Sequence, residues 1–193
     1  MARPQEFDTD TVLDNAMEVF WKKGFDDASI QDLVDATGLN RGSLYNAFGD
    51  KAQLFATVME RYRAASPTRI FSDNSESASP RQQLTDFFSA LVDRAQQDAD
   101  HKGCLFTNTA AGLYGCNDAM TSWVLETLIK LEDVFTSVIE RGQKRGEINT
   151  AYSSRKLARF FVGVAQGLNV MARANPDPDM LNDIAKQALR TLD

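Results

Sequence analysis

A chain of 193 residues, 43% hydrophobic and 25% charged, has the composition of one folded domain or of a small module fused to a larger one, which excludes a disordered chain. Five prolines and eleven glycines exclude collagen-like and linker-dominated architectures, and no stretch approaches the roughly 18 consecutive apolar residues of a membrane span. The net charge of −6 argues against a general nucleic-acid binder, because phosphate attraction scales with positive charge presented to the backbone. With two cysteines and no export signal, reduced thiols and a cytoplasmic location are expected, with no membrane partner.

Strand signals are nearly absent, and helical periodicity recurs along the chain. Residues 8 to 23 place Val12, Leu13, Ala16, Met17, Val19 and Phe20 in one stripe, with Gly24 as a stop. Ser29 caps a short helix carrying Ile30, Leu33, Val34 and Ala36, with Asp32 in its first turn. After Thr37-Gly38-Leu39, Asn40 caps a third helix with Leu44, Tyr45 and Phe48. Gly49 ends it, and Asp50 caps a fourth helix, about 51–65, bearing Leu54, Phe55, Val58, Met59 and Tyr62.

Residues 66 to 80 are rich in serine and proline and read as a loop. Helix resumes at Pro80 behind Ser79, with Leu84, Phe87, Phe88, Leu91, Val92 and Ala95 on one side. A shorter helix is expected from Gly103 to Leu113, then longer ones at 117 to 145, 154 to 174 and 178 to 192. The expected fold is all-α, about nine helices: a small front module over 1–50, a connecting fourth helix, and a larger helical body over 66–193.

The stretch Ser29 to Phe55 carries the functional signal. Two short helices around a glycine turn, the second opening on a polar cap, make the helix-turn-helix geometry that presents a helix N-terminus to the major groove. Ile30, Leu33, Val34, Leu39, Leu44 and Phe48 would form its core. Arg41, Ser43, Tyr45 and Asn46 remain for DNA, and Arg41 can bond two acceptors on guanine. Asn40, at the cap, joins this DNA-facing set.

Ser29, Ile30, Gly38, Leu39, Gly42, Leu44, Tyr45, Phe48 and Lys51, with Phe25 ahead of them, resemble the motif of the tetracycline-repressor (TetR) family of transcriptional regulators. The resemblance implies that Ser29, Tyr45 and Lys51 hold phosphates, while Arg41, Ser43 and Asn46 lie nearest base edges. Asn46 and Ala47 stand where many members have a histidine or another polar pair, and the arm ahead of the first helix has Arg3 as its one basic residue. Residues 1 to 63 hold seven Lys or Arg against eleven Asp or Glu, net −4, yet between Ala36 and Ala52 Asp50 is the single acid beside Arg41 and Lys51. Few phosphate contacts are therefore expected.

Gly163 and Gly167 share a face with Phe160, Val164 and Met171, and small residues at that spacing let another helix approach; packing within the chain would use the same residues. The resemblance implies a homodimer whose last two helices build a four-helix bundle, bringing Leu181, Ile184 and Ala188 to the same interface. Two-fold symmetry also suits a pseudo-palindromic operator.

For a small-molecule effector, Phe88, Leu91, Phe106, Leu113, Trp123, Leu128 and Phe135 offer apolar walls, and Thr107, Asn108, Thr109 and Tyr114 offer polar handles. The same aromatics would serve equally as core. His101, Cys104 and Cys116 are too few and too loosely spaced for a structural metal site, so no metal or cofactor is expected. A single histidine and no nucleophile-elbow or phosphate-loop motif argue against an enzyme. The expected function is a ligand-responsive transcriptional regulator, most simply a repressor. The alternative is a helical adaptor or architectural protein that keeps the fold without sequence-specific DNA binding.

Overall fold

The computed structural model of the chain describes residues 7–72, 78–112 and 118–193. It divides into two compact units, Met1–Ser66 and Pro67–Asp193. Among the described residues it is all-α, with nine α-helices and two short 3-10 turns.

The first unit holds α1 (Thr9–Asp27), α2 (Ile30–Thr37), α3 (Arg41–Phe48) and α4 (Lys51–Ala64). Asp8 caps α1 by accepting from the Asp10 amide, and Val12, Leu13, Ala16 and Phe20 turn inward. Gly24, expected to stop α1, instead kinks it at φ 78°, ψ 176°, and one more turn runs to Asp27. That backbone conformation is open to glycine at no steric cost. The extra turn is anchored from outside its own sequence. Phe25 meets Phe55 edge to face at 5.2 Å, and Phe55 lies 4.9 Å from Phe20.

The fourth helix packs on α1 within the same unit, closed by an ion cluster. Arg61 reaches Asp14 at 2.6 and 2.9 Å and Asp10 at 2.6 Å, while Trp21 and Tyr62 meet edge to face at 5.0 Å.

The second unit begins with a 3-10 turn, Pro67–Ser72, where the serine-rich composition suggested a loop. Phe71 explains the difference: it is 5% exposed, and its ring lies 5.2 Å from Phe87 and 5.3 Å from Phe135. Then come α5 (Pro80–Gln97), capped by Ser79, α6 (Leu105–Ala111), α7 (Asp118–Lys144), α8 (Ser154–Ala174) and α9 (Pro178–Leu189), ending in the 3-10 turn Arg190–Leu192. The core is aromatic and aliphatic: Phe87, Phe88, Phe135, Ile139, Phe161, Leu168 and Leu181 belong to one buried cluster. Each such side chain contributes about 1.5–3 kcal/mol through removal from water. The seventh and eighth helices run antiparallel, as the pairs Arg155–Asp133 at 2.9 Å, Arg159–Glu132 at 3.1 Å and Ser154–Glu140 at 3.2 Å record.

The Arg61 hydrogen bond holds the Asp14 carboxyl below its ordinary value of 3.8. A depressed carboxylate adds stability above its unfolded value and loses it as pH falls through the folded one. Replacing Arg61 with alanine should lower the melting midpoint of the first unit by a few degrees at neutral pH, the scale of exposed ion pairs. Followed by Trp21 fluorescence, wild-type and R61A curves should converge in strong acid; a gap that persists there would assign the loss to something other than the carboxylates.

Candidate nucleic-acid interface

The turn between α2 and α3 is built from caps. Ser29 accepts from the Asp32 amide while Asp32 accepts from the Ser29 amide, a reciprocal box at the start of α2. Gly38, at φ 70° and ψ 4°, ends α2 in the left-handed region, and its N–H returns to the Val34 carbonyl. Asn40 then accepts from the Ser43 amide at 2.9 Å, and the Gly49 N–H closes the far end of α3 on the Tyr45 carbonyl. Leu33 and Leu44 are 0% and 2% exposed, while Phe48 packs 6.3 Å from Phe7. With Leu44 inward, α3 turns Arg41 and Asn46 outward, exposed, with Ser43 and Tyr45 half-buried beside them and Asn40 exposed at the cap.

The side chains on this surface are partly engaged already. Arg41 lies back along α3, its guanidinium 5.4 Å from the Tyr45 ring centre and 3.5 Å from the Tyr45 hydroxyl. Lys51 donates to the Asp26 carbonyl at 3.1 Å and sits 4.6 Å from the Phe25 ring centre. It therefore caps the extra turn of α1. Ser29 gives its hydroxyl proton to Asp32 at 2.8 Å. Lys23 at 2.6 Å, then the Ser29 amide and hydroxyl, hold the Asp32 carboxyl down to about 2.

Those pairs resolve the acidic balance of the unit. Lys22 pairs with Glu18, Lys23 with Asp32, Arg61 with Asp10 and Asp14, and Arg63 with Glu60. Among the described residues, Arg41 and Lys51 form no ion pair, so the cations nearest α3 keep their charge uncompensated by a carboxylate contact.

In the second unit, the expected effector residues fall into two groups. Phe88, Leu91 and Phe135 lie in the main core, with Phe88 5.4 Å from Phe161. Phe106 and Trp123 pair across α6 and α7 at 5.8 Å, and Leu128 is half-buried on α7. Thr107 donates to Gln166 at 2.7 Å, Asn108 to the Lys102 carbonyl at 2.7 Å, and Thr109 to the Leu105 carbonyl at 2.8 Å. Leu113, Tyr114 and Cys116 lie outside the described residues, as does Arg3. No three His, Cys, Asp or Glu side chains gather as a metal site among the described residues, and no helix there is long and apolar enough to cross a membrane.

On the outer face of α8, Phe160 is 45%, Val170 53% and Met171 39% exposed, and space beside Gly163 and Gly167 is open to 4 Å. Phe160, Val164, Ile184 and Ala188 line a groove of about 660 Å³ against α9. Leu181 does not line this groove: it is 1% exposed, four residues from buried Ala185 on the inward side of α9.

Sequence reasoning gave Lys51 a phosphate role and missed its bond to α1, whose signal was Phe25 and Asp26 just beyond the kinking glycine. Lys51→Met should therefore cost the first unit about 1 kcal/mol through the lost carbonyl and ring contacts. Arg41→Ala should leave stability unchanged. Urea unfolding followed by Trp21 fluorescence separates the two; equal stability of both variants would remove the capping role from Lys51.

Comparison with known proteins agrees with this geometry. Residues 12–58 match the bacterial regulatory proteins of the tetR family, and residues 80–188 match the tetracyclin repressor-like C-terminal domain. The chain is 30% identical over 192 residues to the HTH-type transcriptional repressor ComR of Escherichia coli, covering 97% of this chain and 90% of that one. It is 28% identical to the HTH-type transcriptional regulator YezE of Bacillus subtilis, across the whole of both. Its fold superposes with a TM-score of 0.86 and 28% identity, over 100% of both chains, on a cysteine mutant of the TetR-family regulator CifR complexed with 26-bp double-strand operator DNA. These relatives are transcriptional regulators, not enzymes, and they disfavour the adaptor alternative. With family matches over both units and a repressor aligned along nearly its whole length, the chain belongs to the TetR family of DNA-binding transcriptional regulators.

Proposed function

We propose that this protein represses transcription as a homodimer, gripping a pseudo-palindromic operator with the α3 helices of its two protomers and releasing it when a small molecule occupies the second unit. The observation that carries the reading is α3 itself: capped at both ends, fixed by buried Leu44, and presenting exposed Arg41 and Asn46. In this reading Arg41, Ser43 and Asn46, with Asn40 at the cap, meet base edges in the major groove. Tyr45, Lys51 and the Ser29 end of α2 meet phosphates. Such work belongs in the cytoplasm, where a bacterial chromosome lies, and it assigns the chain no catalytic step.

The effector would lie among Phe88, Leu91, Phe106, Asn108, Trp123, Leu128 and Phe135, an apolar setting with few polar groups. It would act by binding one arrangement of the second unit better than another, and so weaken operator affinity through linkage. The exposed apolar row on α8 and the groove beside α9 support a two-fold interface using Phe160, Gly163, Val164, Gly167, Met171 and Ile184, with Ala188 at the groove floor.

The operator reading is tested by selecting duplexes from a random pool with the wild-type chain, then titrating them. Arg41→Ala should reduce affinity about tenfold or more, the loss of one good base contact; unchanged affinity would put the DNA surface elsewhere. Because most cations of the first unit are paired with its own acids, log affinity against log salt should fall with a shallow slope of roughly −3 to −6 per dimer. Binding to scrambled duplex should be weak. A slope of about −10 with tight scrambled binding would refute both.

The dimer is tested separately. Gly167→Glu should convert a dimer into monomers at micromolar concentration in sedimentation, with the helical circular dichroism retained. A wild-type chain that sediments as a monomer would sink this part of the reading.

A further inference from the structure

Arg41 opens α3 at the end where a cation is least welcome, since the first turn of a helix carries the positive pole of its dipole. No acid stands in that turn to hold it. What holds it is a ring. The Arg41 guanidinium carbon lies over the Tyr45 ring, 5.4 Å from its centre, and Nη2 reaches the Tyr45 hydroxyl at 3.5 Å. Helical side chains lean toward the start of their helix, so a long ring at 45 comes to rest beside the side chain one turn earlier, at 41.

The kind of contact decides what Arg41 can still do. A guanidinium carries its N–H donors in its own plane, as a fork at the edge. A carboxylate partner occupies that edge: Asp14 and Asp10 take Nε, Nη1 and Nη2 of Arg61, at 2.6 to 2.9 Å. An aromatic ring attracts the cation through its π face and needs none of the donors. The bond that the Tyr45 hydroxyl accepts, 3.5 Å long, lies at the limit of the useful range and is readily surrendered. Arg41 is thus held in place with its donors unspent, and guanine, with O6 and N7 side by side, takes two of them. An arginine on a bare helix gives up the freedom of a long side chain on binding; one already laid along a ring gives up less.

We infer that Tyr45 is a positioning residue for base reading: its ring holds the Arg41 guanidinium and leaves the N–H edge for guanine, although Tyr45 itself touches no base. This rests on the reading above, in which α3 enters the major groove. It separates two uses of one side chain, the ring for Arg41 and the hydroxyl for a phosphate.

The test changes single base pairs in one half of the selected duplex, one at a time. Each duplex is titrated against wild type, Arg41→Ala, Tyr45→Phe and Tyr45→Leu, with helical circular dichroism reporting the fold. The pair whose change costs the wild type about tenfold, and Arg41→Ala nothing, is the pair that Arg41 reads. Tyr45→Phe keeps the ring and should keep that discrimination within about twofold, whatever it loses in overall affinity. Tyr45→Leu should cut the discrimination by about two- to fivefold, the worth of an exposed cation–ring contact, at that pair and at no other. In the Arg41→Ala background it should cost that pair nothing further. Full discrimination there in Tyr45→Leu, or an equal loss at every pair, overturns the positioning role. So does a wild-type complex whose Arg41 side-chain protons show no ring-current shift from Tyr45, an arm that needs no variant to fold. If Arg41→Ala discriminates at every pair as the wild type does, the groove reading fails, and the positioning role falls with it.

Discussion

An eight-residue helix is too short to persist alone in water, since nucleation consumes most of what its few hydrogen bonds return. The third helix, Arg41–Phe48, is such a helix, and the remainder of the first unit is arranged to hold it. Asn40 satisfies an amide at its start and Gly49 a carbonyl at its end, Leu44 ties it inward, and the left-handed Gly38 sets the direction from which it departs. The second helix, equally short, is held by the Ser29–Asp32 box and by Lys23 from α1. Propensity contributes little here; Gly42, Ser43 and Asn46 are mediocre helix formers. The exposed side of α3 is thus a product of neighbours and caps, which leaves its outward residues free to be chosen for a ligand.

The same economy governs charge. Acids in the first unit outnumber bases, yet among the described residues the partners of its cations lie along α1, α2 and α4: Arg61 closes α1 onto α4, and Lys23 joins α1 to α2. Carboxylates are used as struts, and each strut neutralises one of the charges that would otherwise repel a phosphate backbone. Arg41 and Lys51, nearest to α3, are not spent that way among the described residues. Lys51 instead spends its ammonium on a carbonyl and a ring, contacts that leave its charge uncancelled.

Much of this was legible in the sequence, and the exceptions have a common cause. Helix starts at Ser29, Asn40, Asp50 and Ser79 could be read because a cap acts on amides two or three residues away, so its evidence is local. The inward stripe of α5 could be read for the same reason. Gly24 reads as a stop in the sequence because what continues α1 past it is Phe25 lodged against Phe55 and Lys51 reaching back to Asp26, contacts between distant parts of the chain. Residues 67–72 were hidden in a serine-rich run, although Phe71 within it is the kind of side chain that seeks a core. The resemblance points Leu181 outward, where its spacing with Ala185 already points inward. What no pattern supplied was which exposed apolar groups lie beside Gly163 and Gly167, because that depends on how α8 and α9 rotate against a shared core.

A first unit that is net −4 also bears on how many copies a cell would need. Chromosomal DNA presents on the order of 10⁶ or more competing non-specific sites, and a strongly basic repressor is held on them by counterion release. Each copy held there is withdrawn from the free pool that fills the operator. A protein whose acids offset its bases leaves fewer molecules stranded on irrelevant sequence. Occupancy of one control site can then be maintained by a small population, and changes in that population register quickly in transcription.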